Sequence, residues 1–445
     1  MQGFFRWFGL VVLGVVVVAV SLYTASRLIP IPAEDAAALA LIEAPRATTG
    51  RNGFAALWSL NHDVPMTEAK RLLAEDVLRF QASPVWTLED GTPSRRSVLD
   101  ARPLLDAGAY GDMLCRVGET GCLQHVRARW DALTPIMASR TAIEARIAAL
   151  DDYDYFRNPF PARPDMPLPP LQPLLQAQTA HAHAFVRGDH EAGLLGVCRN
   201  ASVARKLVAS GDNLIGGAVG IALMNASAQL FVDMLAELPA DRPLPDICED
   251  AFRPDGAMAA GICPTMTGEG KFALGNFLSL NATGQPWYRK LKMGLFLDQR
   301  RTMAMGARRH AWFCSPQAEA RVRADMSLGD QAPLYGDWTF SCVANAAGCV
   351  LDHVAAPSLA GYAERFQDTE ARLRVVAAWR ALRGRHDDAR SLEQRLDDWQ
   401  RLHAAGRKIR VSADGDGLEI DLFDDRQGRV FALLLPDGRT EVKAR

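Results

Sequence analysis

The stretch Leu214-Ile-Gly-Gly-Ala-Val-Gly-Ile-Ala-Leu-Met224 decides the fold, because it is apolar on every side of a helix and carries no charge. Such a helix is stable only when other elements surround it. The apolar run is shorter than the roughly 20 residues that a membrane span needs. Asp212 or Asn213 is suited to cap its first turn, and the helical pattern continues to Leu238. We therefore expect a buried central helix over 214–238.

Glycines at positions 211, 216, 217 and 220 accompany this helix. A phosphate-binding loop needs a preceding strand and a following Lys-Ser/Thr pair, and the pattern here provides neither. Close packing of helices against the glycines is the favoured interpretation.

Helical periodicity extends outward on both sides of the central helix. Apolar residues recur at helical spacing over 52–60, 67–80, 124–150, 174–187, 191–210, 287–309, 369–383 and 391–403. Residues 241–286 are typical of a loop-rich segment. The period changes to that of strands over 409–412, 418–422 and 429–435. The pattern predicts a mostly α fold, a multi-helix body with disulfide-stapled loops and a small antiparallel β element at the C-terminus.

A proline-rich segment divides the helical pattern. Asn158 to Pro173 is too rich in proline to be a helix, and it predicts an extended connector between two helical units. The predicted organisation is a cytoplasmic tail (1–6), a transmembrane anchor (7–28), a linker (29–50), an N-terminal helical domain (51–157), the connector (158–173), a central and C-terminal helical domain (174–404) and the β element (405–445).

Trp7 to Leu28 is the candidate membrane span. It is apolar except for Ser21, Thr24, Ser26 and Arg27, and it is long enough to cross a hydrocarbon core of about 30 Å. A cleaved signal peptide is the alternative. Its best cleavage site, Thr24-Ala-Ser26, is poor because Arg27 follows directly. The charges that flank the span specify its orientation weakly, so the cysteines have to decide it.

Composition excludes some classes of protein. With 49% apolar and 23% charged residues the chain can bury a core, which excludes global disorder. The net charge of −2 provides no bulk attraction to nucleic acid, so no nucleic-acid partner is expected. Arg predominates among the 50 basic residues and Ala is abundant, which is typical of a GC-rich bacterial genome.

All eight cysteines follow the candidate span. Because short loops close most readily, the predicted disulfides are Cys115–Cys122, Cys248–Cys263 and Cys342–Cys349, which leaves Cys198–Cys314 by elimination. An even number of cysteines with local pairing favours an oxidising compartment. In a bacterium this predicts an inner-membrane protein with one span and its body in the periplasm. Zinc ligation is disfavoured because no C-x₂-C pair exists.

The sequence contains no complete catalytic or cofactor motif, so neither a cofactor nor a metal ion is predicted. His181 and His183 lie two residues apart and point to different faces of a helix, which suits metal binding badly. The carboxylates from Asp151 to Asp154 are candidates for paired acids, although a solvated turn is the default interpretation. Glu269 and Lys271 are predicted to lie in a flexible loop, where a site is often found.

The segment from Tyr288 to His310 is rich in positive charge. A basic helix in the periplasm is suited to an acidic protein surface or to lipid headgroups, and the alternative is a helix salt-bridged to acids elsewhere in the fold. The candidate binding surface consists of Arg289, Lys290, Lys292, Arg300, Arg301, Arg308 and Arg309.

Three stretches together carry a resemblance. They are Asn52-Gly-Phe-Ala-Ala-Leu-Trp-Ser-Leu-Asn-His-Asp63, Asp212-Asn-Leu-Ile-Gly-Gly-Ala-Val-Gly-Ile-Ala222 and the helices over 369–402 that lead into Gly417-Leu-Glu-Ile-Asp421. In these stretches the chain resembles uncharacterised single-span bacterial envelope proteins. The resemblance implies a location and a mostly helical architecture, and it implies no activity.

Two hypotheses of function follow. In the first, the membrane-anchored body binds a protein partner in the periplasm, as an immunity or inhibitor protein against a secreted effector or as an envelope-assembly factor. In the second, it is an envelope hydrolase that acts on cell wall or lipid, with carboxylates from Asp151–Asp154 or Glu269. A pocket that gathers those acids favours the enzyme, and a large exposed apolar or charged face favours the binding protein.

Overall fold

A computed structural model describes residues 2–83, 97–106, 108, 110–163, 165–279, 294–329, 338–354, 359–384, 390–403 and 406–436. The protein is mostly helical, with a small antiparallel sheet near the C-terminus and four disulfide-bonded cysteine pairs. The predicted fold class is confirmed.

The part of the chain before the proline-rich connector forms seven α-helices within the described residues. They are α1 (Gln2–Leu28), α2 (Ala33–Glu43), α3 (Phe54–Trp58), α4 (Met66–Ala82), α5 (Cys122–Ala128), α6 (Trp130–Ser139) and α7 (Thr141–Ala149). The most apolar part of α1 has no buried residues, whereas the other helices pack into the body.

The helices after the connector form the larger part of the body. They are α8 (Gln172–Val186), α9 (His190–Ser210), α10 (Leu214–Ala236), α11 (Ile247–Ala251), α12 (Ala257–Ala260), α13 (Ile262–Ser279), α14 (Gln299–Trp312), α15 (Pro316–Arg323), α16 (Ala346–Val354), α17 (Leu359–Leu382) and α18 (Leu392–His403).

The central helix is α10. Its residues Leu223, Met224 and Phe231 are fully buried, and it packs mainly against α9, α17 and α8. The sequence analysis excluded a membrane span here because the apolar run was too short. That argument was wrong, because α10 has 23 residues and is long and apolar enough to cross a membrane. More than half of its most apolar part is nevertheless buried inside the body. This burial makes α10 a core helix.

The glycines of α10 permit close contacts between helices. A side chain at Gly217 would collide with Thr265 of α13, and one at Gly220 would approach the carbonyl oxygen of Ala204 in α9. The two glycines therefore have the packing role that the sequence favoured over a phosphate-binding loop.

One cluster of buried apolar side chains extends from Ala56 to Leu433. It includes residues from the predicted N-terminal unit, from the helices after the connector and from the sheet. Trp379 of α17 is fully buried in it, and its indole N–H donates to the carbonyl oxygen of Leu434 at 2.7 Å. The three predicted units therefore share a core.

The sheet has three strands, β1 (Arg410–Val411), β2 (Gly417–Asp421) and β3 (Val430–Leu434), in the order β1-β2-β3. Both strand pairs are antiparallel, with Val411 opposite Leu418 and Ile420 opposite Phe431. Asp368 of α17 accepts hydrogen bonds from the backbone N–H groups of residues 423 and 424, and this attaches the sheet to the helical body.

The disulfides differ from the sequence prediction at two pairs. Cys115 is bonded to Cys122 and Cys342 to Cys349, as the spacing predicted. The predicted pairs Cys248–Cys263 and Cys198–Cys314 are wrong, because the structure pairs Cys198 with Cys248 and Cys263 with Cys314. Cys248 lies in α11, which packs on α9, whereas Cys263 lies in the first turn of α13, which packs on α14. Helix packing therefore overrides the advantage of a short loop.

The segment after Asp241 is also more ordered than predicted. It was expected to be loop-rich as far as Pro286, but its described part contains α11, α12 and the 18-residue α13. Thr265 and Met266 of α13 are fully buried against the body, and this burial stabilises a helix whose glycines and threonines have low helix propensity.

Candidate functional site

The candidate site lies at the turn between α9 and α10. Gly211 ends α9 in the left-handed conformation, with a φ of 58°. Asn213 caps α10, and its side-chain oxygen accepts from the backbone N–H of Gly216 at 2.8 Å. Because Asn213 is the cap, the carboxylate of Asp212 takes no part in it and faces a cavity.

Asp212 is held by the proline-rich connector. Its Oδ2 accepts a hydrogen bond from the backbone N–H of Asn158, and its Oδ1 lies 3.7 Å from Nε of Arg157. Arg46, from the loop after α2, donates through Nη1 to the carbonyl oxygen of Gly211 at 3.0 Å. Arg157 donates in turn to the carbonyl oxygen of Arg46 at 2.9 Å. Three separate segments are thereby fixed around one carboxyl group.

Burial raises the pKa of Asp212 from 3.8 to about 7. The hydrogen bond from Asn158 and the charges of Arg157, Arg46 and Lys271 act in the opposite direction and offset part of this shift. A carboxyl group of this kind exchanges its proton near neutral pH. Perturbed acids in a cavity are typical of functional sites.

The cavity beside Asp212 has a volume of about 330 Å³. Its lining contains three basic side chains, Arg46, Arg157 and Lys271, against the single acidic residue Asp212. The rest is contributed by the end of α2, the connector and α13. The cavity therefore has a net positive charge, and it becomes more positive when Asp212 is protonated. We refer to it as the cationic cavity.

An apolar groove of about 490 Å³ adjoins the cationic cavity. Both have Met166 and Phe272 in their linings. The floor of the groove is a helical stripe of α10, spaced at three, four and seven residues: Ile215, Ala218, Val219 and Ala222. Ile215 is half exposed, and the other three are partly exposed. The sequence was apolar on every side of α10 because one side faces the core and another lines this groove.

Glu269 of α13 is at the other side of the α10 N-terminus and also lines the groove. Its Oε2 accepts from the backbone N–H of Leu214 at 2.9 Å, and burial raises its pKa. Glu269 and Lys271 were predicted in a flexible loop, and that prediction was wrong, since both lie on α13. The helix places Glu269 at the groove and Lys271 at the cationic cavity.

The carboxylates from Asp151 to Asp154 are not among the lining residues of either the cationic cavity or the groove. Asp151 pairs with the ammonium group of Lys206 at 2.7 Å. Oδ2 of Asp154 accepts from the backbone N–H of Arg51 at 2.6 Å. These contacts give both acids a structural role.

The predicted basic surface is not a continuous exposed stripe in the described residues. Arg289, Lys290 and Lys292 lie outside them. Of the rest, Arg300 is exposed, but Arg301 and Arg309 are buried. That part of the prediction is wrong, because α14 packs between acids of two neighbouring helices.

Two ion pairs show this packing. Arg308 pairs with Glu34 of α2 at 3.0 Å, and Arg309 pairs with Asp352 of α16 at 2.5 Å. A second cavity, of about 410 Å³, lies here, and its lining contains three arginines and three acids. Its charges are balanced by these pairs, unlike those of the cationic cavity.

The histidine pair has packing roles. His181 is partly buried, and burial lowers its pKa to about 4. His183 stacks on Trp130 with ring centroids 4.3 Å apart. Across the described residues, no group of three or more His, Cys, Asp and Glu side chains is placed to hold a metal ion.

Comparison of the chain with protein-family models, with curated proteins and with solved structures finds no match. The resemblance to single-span envelope proteins therefore stays an expectation. The site has to be interpreted from its own geometry.

Sequence reasoning missed three residues of the cationic cavity: Arg46, Arg157 and Asp212. They are far apart in the chain, and no local motif connects them. One signal was present. Asp212 and Asn213 are adjacent residues of the capping type, and a helix needs only one of them, so the other was available for a different role.

Proposed function

We propose that this protein is a membrane-anchored envelope protein whose periplasmic body binds an anionic amphiphile of the lipid type. The most apolar part of α1, which has no buried residues, supports the anchoring. The four cysteine pairs support an oxidising compartment, which in a bacterium is the periplasm.

The observation that carries the proposed ligand is the contact between the cationic cavity and the apolar groove. An anionic headgroup fits beside Arg46, Arg157 and Lys271, and an acyl chain fits along the stripe that begins at Ile215. Burial of each methylene group contributes about 0.8 kcal/mol. A few methylene groups in the groove are therefore enough for measurable affinity, and the cavity selects for negative charge.

The position of the site suits a ligand that comes from the membrane. Four residues separate the end of α1 from the start of α2, whose C-terminal residues Leu41 and Ile42 line the cationic cavity. The 11 residues of α2 span about 16 Å. The cavity is thus separated from the end of the anchor by one short linker and one short helix.

A hydrolase is the second candidate, and the pKa of Asp212 is what favours it. A general acid or base is most effective when its pKa lies near the working pH, and that of Asp212 is about 7. Thr267 also lines the cavity, but its hydroxyl donates to the carbonyl oxygen of Cys263 at 3.0 Å. Turnover of phospholipid or peptidoglycan by the pure protein would establish this activity.

Capture of a protein partner, such as a secreted effector or an assembly factor, stays a prediction. Of the described basic residues that were expected to carry it, Arg300 and Arg308 are accessible, and Arg308 is already paired with Glu34. A pull-down with an Arg300→Glu variant tests it.

The test of lipid binding uses the full-length protein in detergent, titrated with phosphatidylglycerol or with phosphatidylcholine of the same acyl chains and observed by native mass spectrometry. We expect phosphatidylglycerol to bind more tightly. Lys271→Gln should weaken that binding about tenfold, which corresponds to about 1.4 kcal/mol. Lys70→Gln, an exposed lysine on α4, is the matched control and should bind as the wild type does.

Inorganic phosphate is the competitor that separates a headgroup site from a simple anion site. We expect millimolar phosphate to leave phosphatidylglycerol bound, because the groove contributes affinity that phosphate does not obtain. Equal binding of the two lipids, or complete displacement by phosphate, would contradict the proposal.

A further inference from the structure

Helix α1 is joined to the body by a small set of hydrogen bonds near its C-terminal end. The hydroxyl of Tyr23 donates to the carbonyl oxygen of Leu295 at 2.9 Å. The hydroxyl of Ser26, which is fully buried, donates to the carbonyl oxygen of Phe340 at 2.8 Å and accepts from the backbone N–H of Ala344 at 3.0 Å. These bonds fix the position of the nearby body surface along the axis of α1.

That surface exposes large apolar side chains. Trp338 is 60% exposed and Phe296 is 54% exposed. The disulfide between Cys342 and Cys349 joins the segment that contains Trp338, Phe340 and Val343 to the helix that contains Val350. We call it the membrane-proximal patch, and it consists of Leu295, Phe296, Trp338, Phe340, Val343 and Val350. Exposed apolar side chains concentrated in this way mark an interaction surface.

The depth of the patch follows from the length of α1. About 20 helical residues cross the hydrocarbon core, so a span that starts at Trp7 ends close to Ser26. Phe340, bonded to Ser26, is then level with the membrane boundary. Leu295, bonded to Tyr23, lies three residues deeper, which is about 4.5 Å along the helix.

Arg27 follows Ser26 directly, on the side of the patch away from the apolar part of α1. Arg27 donates to the carbonyl oxygen of Ala344 at 3.4 Å and lies 3.8 Å from Asp298. Arg300 is exposed, and it follows Phe296 by four residues in the sequence. Tryptophan and arginine are both favoured at the interface between lipid and water, where the ring meets headgroups and the cation meets phosphate.

We propose that the membrane-proximal patch is embedded in the interfacial layer of the bilayer around the point where α1 leaves it. The occupant of the patch is lipid, because the surface is fixed to the anchor at the depth of the interface. The inference rests on the proposed anchoring by α1, and it goes beyond it by placing part of the body itself in contact with lipid.

The test is photocrosslinking of the full-length protein in liposomes of phosphatidylethanolamine and phosphatidylglycerol. Benzoylphenylalanine replaces one residue at a time: Phe296 or Trp338 in the patch, Val15 in α1, and Leu78 or Leu402 as controls. Leu78 is 65% exposed and Leu402 is 82% exposed, on helices that have no close packing with α1. Exposure alone therefore does not distinguish the patch from the controls.

We expect lipid adducts at Val15, Phe296 and Trp338, about tenfold more abundant than at Leu78 or Leu402, because interfacial side chains contact headgroups and acyl chains. Patch positions that give no more adducts than the controls overturn the inference. Val15 then separates the two cases: adducts there leave the anchoring intact, and their absence shows that the anchoring has failed as well.

Discussion

Nε of Arg157 lies 3.7 Å from Oδ1 of Asp212, so the residue that precedes the proline-rich connector supplies a positive charge to the turn that starts the central helix. Burial nevertheless raises the pKa of Asp212 to about 7. Between pH 3.8 and about pH 7 the folded protein therefore keeps a proton on Asp212 that the unfolded chain has already released. Two predictions depend on this difference.

The first concerns stability. Because the pKa of Asp212 is raised from 3.8 to about 7, the native state binds more protons between these values, and the free energy of unfolding falls as pH rises through this window. Asp212→Asn removes this dependence, so its thermal stability relative to the wild type should increase from pH 5 to pH 8. The exposed Asp241→Asn is the control, and an equal pH response of both variants would argue against a raised pKa of Asp212.

The second concerns binding. Arg46, Arg157 and Lys271 line the cationic cavity beside Asp212, from the loop after α2, the residue before the connector and α13. Protonation of Asp212 therefore makes the cavity more positive at the lower pH. Phosphatidylglycerol should bind the wild type more tightly at pH 6 than at pH 8, measured by titration. The affinity of Asp212→Asn should change little, and a pH effect that persists in this variant would assign it to another group.

The two sides of α10 should respond differently to the same substitution. Leu223 is fully buried, so Leu223→Asp places an unpaired carboxylate in the core, and we expect it to unfold the protein or to lower its melting temperature strongly. Ile215→Asp, on the half-exposed side, should keep the fold but weaken phosphatidylglycerol binding about tenfold or more, since it puts a charge in the groove. Calorimetry and lipid titration measure the two effects.

Peptide mapping without reduction should recover Cys198 linked to Cys248 and Cys263 linked to Cys314. These bonds close loops of 50 and 51 residues, whereas Cys342–Cys349 closes one of 7. In the chain-entropy account a loop of the longer kind contributes about 4 kcal/mol and the shorter about 2.5 kcal/mol. Cys198→Ser with Cys248→Ser should therefore destabilise the protein more than Cys342→Ser with Cys349→Ser. Recovery of Cys248–Cys263 peptides would contradict the structure.

Two arginines of α14 allow the effect of a surface charge on stability to be compared with that of a buried charge. Arg309→Glu places a like charge beside the buried Asp352, and breaking a buried pair costs about 3–5 kcal/mol. Arg300→Glu changes an exposed residue and should alter the melting temperature little. Comparison of the two melting curves tests this, and similar curves would show that Arg309 is solvated.

Local patterns predicted the parts of the fold that depend on local physics. Apolar periodicity and capping residues located α9 and α10, and alternation near the C-terminus located β2 and β3. The sequence patterns did not predict the features that depend on contacts between residues far apart in the chain. Cys248 finds its partner in α9 because α11 packs there, and α13 is helical because its buried face is covered by the body.

The candidate site could be predicted only in part for the same reason. Glu269 and Lys271 were recognised as candidates from their segment, but Arg46, Arg157 and Asp212 come together only when three distant segments meet at Gly211. The positive charge over 300–309 led to a wrong prediction of an exposed basic surface, because acids that neutralise it lie on α2 and α16. A sequence pattern does not reveal such partners.

The most direct measurement of the central claim is crosslinking with phosphatidylglycerol that carries a photoactivatable group on its acyl chain. After irradiation of the full-length protein in detergent, peptides are mapped by mass spectrometry. We predict adducts on the groove, in peptides that contain Ile215 to Ala222 or Phe272, and their loss in Ile215→Asp. Adducts confined to α1 and the membrane-proximal patch, with none on the α10 stripe, would contradict the account.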